Sequence, residues 1–147
     1  MIHLTIDTKK CMSELLLRDT FDTFTFIDGE ITTFSKFQAP EREYGIWSDY
    51  RSFCLSIIKG KRTPLNFKFV FAVSAEQTER IISDYSVDFA LSNIQGLYLN
   101  FYYDGSKLTC TTGTSLKIFT LDKSLEHALD QWAKQFFTDH EINWEPV

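Results

Sequence analysis

Apolar and polar side chains alternate along several short segments of the chain, and this period of two predicts strands with one buried face. The alternation is clearest at residues 65–73, where the apolar positions are Leu65, Phe67, Phe69, Phe71 and Val73. Residues 2–6 show the same period, and two shorter candidates follow. They are the segments with apolar positions Phe53, Leu55 and Ile57, and with Leu116 and Ile118 extending to Thr120.

Two Asp-Gly pairs predict β-hairpins, because both positions of a tight hairpin turn favour residues that tolerate positive φ. Asp28-Gly29 lies between two aromatic and Thr-rich runs. Asp104-Gly105 lies between similar runs at residues 96–103 and 106–112. We therefore expect each pair to form a two-residue turn between antiparallel strands.

Three segments have the period of an amphipathic helix. The first follows a capping residue, Asp7 or Thr8, and runs to about residue 18. The second begins at Ser74, where Gln77 three positions later completes a capping box. The third covers residues 122–138, and its apolar face consists of Leu125, Ala128, Leu129, Trp132 and Phe136. Residues 86–95 show no clear pattern.

The order of these elements predicts an α+β fold with a mainly antiparallel sheet of about eight strands and three helices. Strand, helix, hairpin and strand occur in residues 1–60 and again in residues 64–121. This order is compatible with two tandem β-α-β-β-β units followed by the helix at residues 122–138. The length of 147 residues suits a single domain that spans residues 1–147.

Composition and charge narrow the classes of function. Aromatic residues make up 16% of the chain, as expected for a folded domain and not for a disordered segment. The formal net charge of −5 disfavours a nucleic-acid-binding role, since such domains usually carry a basic surface. No stretch has the composition of a signal peptide or a membrane span, so we expect a cytoplasmic protein without membrane contact.

Cysteine spacing and motif content point away from catalysis. Cys11, Cys54 and Cys110 are far apart, and they show neither C-x-x-C nor zinc-ligand spacing. Reduced, buried thiols are therefore expected. The chain has no dinucleotide-binding fingerprint, nucleophile elbow or paired-carboxylate motif. We predict no catalytic residues, no metal and no cofactor.

Four segments together resemble a family of small bacterial proteins that is known only as a domain of unknown function. They are residues 15–22 (LLLRDTFD), 30–34 (EITTF), 59–65 (KGKRTPL) and 108–122 (LTCTTGTSLKIFTLD). The segments are spread over most of the chain. The resemblance implies family membership and no particular activity.

The order of elements also resembles, more loosely, one domain of a DNA sliding clamp. Clamp domains line DNA with basic helices. Here the second predicted helix has Arg80 against Glu76 and Glu79, so it lacks the charge for that role.

A basic turn is the first candidate site. Lys59, Lys61 and Arg62 surround Gly60, and Thr63 adds a hydroxyl group. Such a group can hold a phosphate or a carboxylate. The alternative is a solvated turn whose charges prevent edge-to-edge pairing of strands.

The second hairpin provides another candidate site. With a two-residue turn, Phe101 pairs with Leu108 and Leu99 with Cys110, which places Cys110 on a buried apolar face. The opposite face carries Tyr98, Asn100, Tyr102, Lys107, Thr109 and Thr111. Aromatic and hydroxyl side chains can stack on a ligand and hydrogen-bond to it. The alternative is an ordinary solvent-facing surface made of good strand formers.

The last predicted helix carries a group of polar side chains: Asp122, Glu126, His127 and Asp130. A histidine and a carboxylate one turn apart can bind a metal. A solvated polar face is the more common arrangement, and we expect it here.

The leading functional hypothesis is a non-enzymatic binding or interaction module, because no catalytic constellation is recognisable and strand surface is abundant. Two alternatives stay open. One is nucleic-acid or anion binding through residues 59–62, with stacking by Tyr98 and Tyr102, and the other is a hydrolase that uses Cys110. A protein partner or self-association is compatible with the sheet edges of such a fold.

Overall fold

The computed structural model describes residues 1–32, 36–38, 45–47, 51, 54 and 66–147. The predicted strand with Phe53, Leu55 and Ile57 and the basic turn at residues 59–63 lie outside these residues. The strands are β1 (His3–Ile6), β2 (Thr25–Thr32), β3 (Lys36–Gln38), β4 (Gly45–Ile46), β5 (Asn66–Ala72), β6 (Ile94–Tyr103), β7 (Leu108–Leu116) and β8 (Trp144–Pro146). The helices that lie wholly within the described residues are α1 (Thr8–Leu16), α2 (Ala75–Asp84) and α3 (Ser124–Asp139), with a 3-10 turn at Leu91–Asn93.

The predicted α+β class and antiparallel sheet are confirmed. The strands lie in the order β3-β2-β5-β6-β7-β1-β8, and β4 also pairs with β2. Each of these pairings is antiparallel. Among the described strands, β2, β5, β6 and β7 have seven to ten residues and β1 has four. The pieces of two or three residues, β3, β4 and β8, extend the edges of the sheet.

The pairing of the first strand does not divide the sheet into two tandem units. β1 pairs with β7 and β8, so β5, β6 and β7 separate it from β2. In the second half of the chain, by contrast, β5 and β6 are direct neighbours. The described strands of the two halves therefore do not share a pattern of hydrogen bonds.

Side-chain caps fix the start of two helices as the sequence predicts. The N–H of Lys10 donates to Asp7 Oδ1 at 3.2 Å, and the N–H of Gln77 donates to Ser74 Oγ at 3.1 Å. These bonds satisfy backbone donors that have no partner inside the helix. α1 ends at Leu16, about two residues earlier than predicted.

One face of the sheet is covered by a large aromatic core. Phe67, Phe69 and Phe71 of β5 are all buried, as their alternation predicts. The ring of Phe71 lies 5.0 Å from Trp47 and 5.7 Å from Phe101, measured between ring centroids. Because the other face of the sheet carries no such cluster among the described residues, the core lies between the sheet and the helices.

The predicted hairpin at Asp28-Gly29 is wrong. β2 runs through this pair without a turn, and its register with β5 shifts between Phe26 and Asp28. The extra residue of this bulge reverses the alternation, so that Phe26 and Gly29 are both buried. A Cβ atom at position 29 would lie 2.2 Å from Phe26 Cζ. Glycine is therefore needed here for close packing and not for a positive φ.

The Asp104-Gly105 hairpin forms, but with a longer turn than predicted. Asp104 Oδ1 accepts hydrogen bonds from the N–H groups of Ser106 (2.9 Å) and Lys107 (2.8 Å), and these bonds lower the pKa of Asp104. The strands consequently pair as Tyr103 with Leu108 and Phe101 with Cys110. The register differs from the prediction by two residues, which leaves every side chain on its predicted face.

The separate strand predicted over residues 116–120 is also wrong. β7 continues through Gly113 to Leu116, which pairs with Ile94. A hydrogen bond from the N–H of Lys117 to the carbonyl of Asn93 (2.8 Å) closes the ladder. The residues that follow lie in a loop that leads to α3.

The bulge in β2 yields a direct test. Gly29→Ala should lower the free energy of unfolding by about 1–3 kcal/mol. The Phe26 ring packs against Trp47, so it cannot shift away from the new Cβ atom without losing that contact. Gly113→Ala is the matched control, since the nearest atom to its Cβ would be Asn100 Nδ2 at 3.8 Å. We expect the control to be neutral or slightly stabilising. Equal effects of both variants in urea unfolding would contradict the packing role of Gly29.

Candidate functional site

The open face of the sheet, opposite the aromatic core, collects most of the predicted ligand-face residues. Asn100 pairs with Thr111 and Tyr102 with Thr109 across β6 and β7, while Tyr98 pairs with Gly113. Tyr102 is about half exposed. Lys107 is also exposed, but it lies in the turn and not in the strand. Five of the six predicted residues therefore lie on the open face, and the sixth, Lys107, lies in the turn at the end of the hairpin.

Several polar groups of this open face are already hydrogen-bonded within the sheet. Asn100 Nδ2 donates to the Thr111 carbonyl at 3.2 Å, and Thr109 Oγ1 donates to the Tyr102 carbonyl at 3.4 Å. Lys68 of β5 is exposed and pairs with Tyr102, so a cation and an aromatic ring are neighbours there. The prediction that this face binds a ligand stays a prediction.

The three thiols are buried, and burial disfavours their reactive form. Burial raises the pKa of Cys110 and that of Cys11 well above the usual range, and it raises the pKa of Cys54 to about 12. A nucleophilic cysteine needs an accessible thiolate. The predicted core position of Cys110 is confirmed, and this position argues against the alternative of a cysteine hydrolase.

The polar group on α3 does not form a uniform solvated face. His127 is exposed, but Asp130 is buried and accepts a hydrogen bond from Thr112 Oγ1 at 2.6 Å. The amino group of Met1 lies 3.4 Å from Asp130 Oδ2. The expectation of solvation is therefore wrong for Asp130. Among the residues that the structure describes, no three His, Cys, Asp or Glu side chains are grouped closely enough to hold a metal ion.

A short segment between β7 and α3 exposes large apolar side chains. We call residues 117–122 the apolar loop. Phe119 is 90% exposed, Leu121 80% and Ile118 45%. A cavity of about 260 Å³ lies beside the loop, with Leu116 and Leu125 in its wall. Contiguous exposed apolar surface is uncommon on soluble proteins and is typical of interaction sites.

A cleft opens on the helical side of the molecule, where three distant parts of the chain meet. Its volume is about 210 Å³. The residues that define its chemistry are Thr20, Phe24, Gln77, Trp132, Phe136 and His140. It combines aromatic walls with a polar edge, which is the usual character of a small-molecule site.

The chain belongs to a family of unknown function (DUF5721), whose model matches residues 37–145. The resemblance seen in the sequence is thereby confirmed. No curated protein and no solved structure matches the chain. The looser analogy with a sliding-clamp domain therefore receives no support from a structural match. Within the described parts of the chain, no helix is both long and apolar enough to cross a membrane.

Sequence reasoning missed both the apolar loop and the cleft, for different reasons. If residues 116–120 formed a strand that continued to residue 121, its two faces would both be apolar, because Ile118, Phe119 and Leu121 do not alternate. This break in alternation is the sequence signal that could have indicated the apolar loop. The sequence contains almost no local signal for the cleft. One part of its lining follows helical spacing, since residues four apart lie on the same face of a helix: Trp132, Phe136 and His140.

A buried carboxylate supports the edge of the cleft. Glu14 accepts a hydrogen bond from Thr20 Oγ1, and Lys10 Nζ lies 3.1 Å from Glu14 Oε1. Burial by itself would raise the pKa of Glu14. The hydrogen bonds from Thr20 and Lys10, and the charges of Lys10 and Arg18, outweigh this effect and lower the pKa. Glu14 thus fixes the hydroxyl of Thr20 at the cleft.

The lowered pKa predicts a pH-dependent contribution to stability. Glu14→Gln should lower the free energy of unfolding by about 1–3 kcal/mol at neutral pH, because it removes a buried, charge-assisted network. The difference in free energy of unfolding between the two proteins should have its full size above about pH 4.3, the ordinary pKa of glutamate. It should shrink as the pH falls through the lower pKa that Glu14 has in the folded protein. Urea unfolding of both proteins across this range measures it.

The control for this prediction is Glu76→Gln. Glu76 forms an exposed ion pair with Arg80 at 2.7 Å, with 77% of its side chain accessible. We expect a change below about 0.5 kcal/mol at every pH. A Glu14→Gln effect that stays constant into acid would show that the carboxylate charge is not what stabilises this region.

Proposed function

We propose that this protein is a non-enzymatic interaction module that binds a partner protein through the apolar loop. The observation that carries the proposal is the exposure of Ile118, Phe119 and Leu121 within four consecutive residues. Single exposed apolar residues are normal on a protein surface, but a cluster of large ones is not. Burial of such side chains against a partner recovers about 25 cal/mol per Å² of apolar surface.

The loop is held in place at both ends, which favours binding. The N–H of Lys117 is bonded to Asn93, and Asp122 Oδ1 accepts from the N–H of Ser124 at 2.9 Å. Within the loop, the N–H of Asp122 donates to Thr120 Oγ1 at 3.1 Å. A segment that is already ordered loses less conformational entropy on association. These bonds therefore support a preformed docking element.

The surroundings of the loop have the layout of a protein interface. Phe119 provides an aromatic side chain of the kind that is enriched in the buried centre of protein interfaces. The adjacent cavity can receive a side chain of the partner. A positive and a negative side chain lie next to the apolar loop, where Lys123 Nζ is 3.4 Å from Glu126 Oε2. A polar rim of this kind is typical of non-obligate interfaces.

Nucleic-acid or anion binding is the alternative, and one observation favours it. Lys68 pairs with the half-exposed Tyr102 on the open face. A nucleic-acid base could stack on the ring of Tyr102 while the ammonium group of Lys68 forms an ion pair with a phosphate. The net charge of −5 disfavours this alternative. Lys59, Lys61, Arg62 and Thr63, which carried it in the sequence, lie outside the described residues.

Site-specific photo-crosslinking in the source cell distinguishes these surfaces. With the substitution Phe119→p-benzoylphenylalanine, we expect a discrete protein adduct that mass spectrometry identifies. The same substitution at Tyr102 tests the open face, and at Leu17, another exposed apolar residue, it controls for non-specific capture. Strong adducts only at Tyr102, with protein or nucleic acid, would contradict the proposal.

The identified partner then permits a quantitative test. In calorimetry with both purified proteins, Phe119→Ser should weaken binding by about 2 kcal/mol or more, as expected for a buried aromatic anchor. The substitution should change the free energy of unfolding by no more than about 0.5 kcal/mol, because Phe119 makes little contact in the free protein. Unchanged affinity in this variant would exclude the apolar loop as the binding element.

A further inference from the structure

The cleft on the helical side has room for one small ring system. It is bounded by residues 20–24, by the start of α2 and by the C-terminal half of α3. Its volume of about 210 Å³ exceeds the roughly 150 Å³ of an engineered apolar cavity that holds benzene. The space therefore suits a planar ring with a few substituents.

Three aromatic rings form one wall of the cleft. The ring centroids of Trp132 and Phe136 are 5.4 Å apart, and Phe24 lies 6.2 Å from Trp132 and 5.6 Å from Phe136. Trp132 and Phe136 pack against the core but are only partly buried. Both rings line the cleft. A planar π-system gains stacking energy on such a wall.

The polar edge of the cleft offers hydrogen-bond acceptors. His140 Nδ1 lies 2.8 Å from the carbonyl oxygen of Phe136, which can only accept, so Nδ1 carries the proton. In the neutral ring Nε2 is then an acceptor. The hydroxyl proton of Thr20 is committed to Glu14, which leaves the lone pairs of Thr20 Oγ1 as acceptors. Gln77 adds an amide that both donates and accepts.

We infer that this cleft is a binding site for a small planar nitrogen heterocycle that presents N–H donors along one edge, of the class of a free purine base. The aromatic wall stacks on the ring, and His140, Thr20 and Gln77 receive its edge. The site is separate from the apolar loop and does not depend on the proposed protein interaction.

The indole N–H resonances of the isotope-labelled protein provide the assay. The chain has three tryptophans, and Trp132→Phe assigns the one in the cleft. Titration with adenine at millimolar concentration should shift the Trp132 resonance saturably and leave that of Trp144 unchanged. A purine methylated at every N–H group keeps the ring and loses the donors, so it should bind at least about tenfold more weakly. Equal binding of both purines, or no saturable shift of Trp132, would overturn the inference.

Two histidine variants provide the matched comparison. His140→Ala should weaken adenine binding at least about tenfold, because an acceptor of the cleft is lost. His127→Ala removes an exposed histidine from the same helix and should change nothing. If His140→Ala disturbs the fold, Gln77→Ala takes its place, with the same expected loss. Unchanged affinity in the folded variant would overturn the inference.

Discussion

The structure depends on aromatic packing between the central strand of the sheet and the chain that covers it. Phe21, in the connection between α1 and β2, is fully buried and contacts the sheet and α3 at once. Its ring lies 5.7 Å from Phe71 of β5, 5.6 Å from Phe101 of β6 and 5.4 Å from Phe136 of α3. Aromatic pairs at these distances contribute beyond the area they bury. This ring therefore joins the layers of the fold.

Both candidate binding surfaces lie at the margins of this core. Phe24 and Phe136 pack on each other and on Phe21 in the aromatic cluster, and both also line the cleft. The apolar loop begins directly after Leu116, where β7 ends, and Phe119 and Leu121 in it are largely exposed. The same packing that stabilises the fold thus determines where apolar surface remains available for a ligand or a partner.

Periodic segments were predictable from the sequence because one period decides both structure and burial. The alternation around Phe69, the cap at Ser74 and the buried face of α3 are all local features. The bulge at Gly29 was not predictable, because it depends on the pairing of β2 with β5 and on the packing of the Phe26 ring against Trp47. The longer turn at Asp104 is a local feature, since the carboxylate accepts from N–H groups two and three residues further on. The Asp-Gly pair alone does not distinguish this turn from a two-residue turn. The cleft combines Thr20, Gln77 and His140, which only the tertiary fold brings together.

A double-mutant cycle between Phe21 and Phe71 tests the central role of the aromatic packing most directly. Phe21→Leu and Phe71→Leu, alone and together, should show a coupling free energy of about 0.5–1.5 kcal/mol in urea unfolding. The matched cycle pairs Phe21→Leu with Phe67→Leu, because the ring of Phe67 packs on Tyr103 at 5.2 Å. That control should be additive within about 0.5 kcal/mol. Additivity in the Phe21–Phe71 cycle as well would contradict the account, because it would mean that the rings only fill space and do not join the layers.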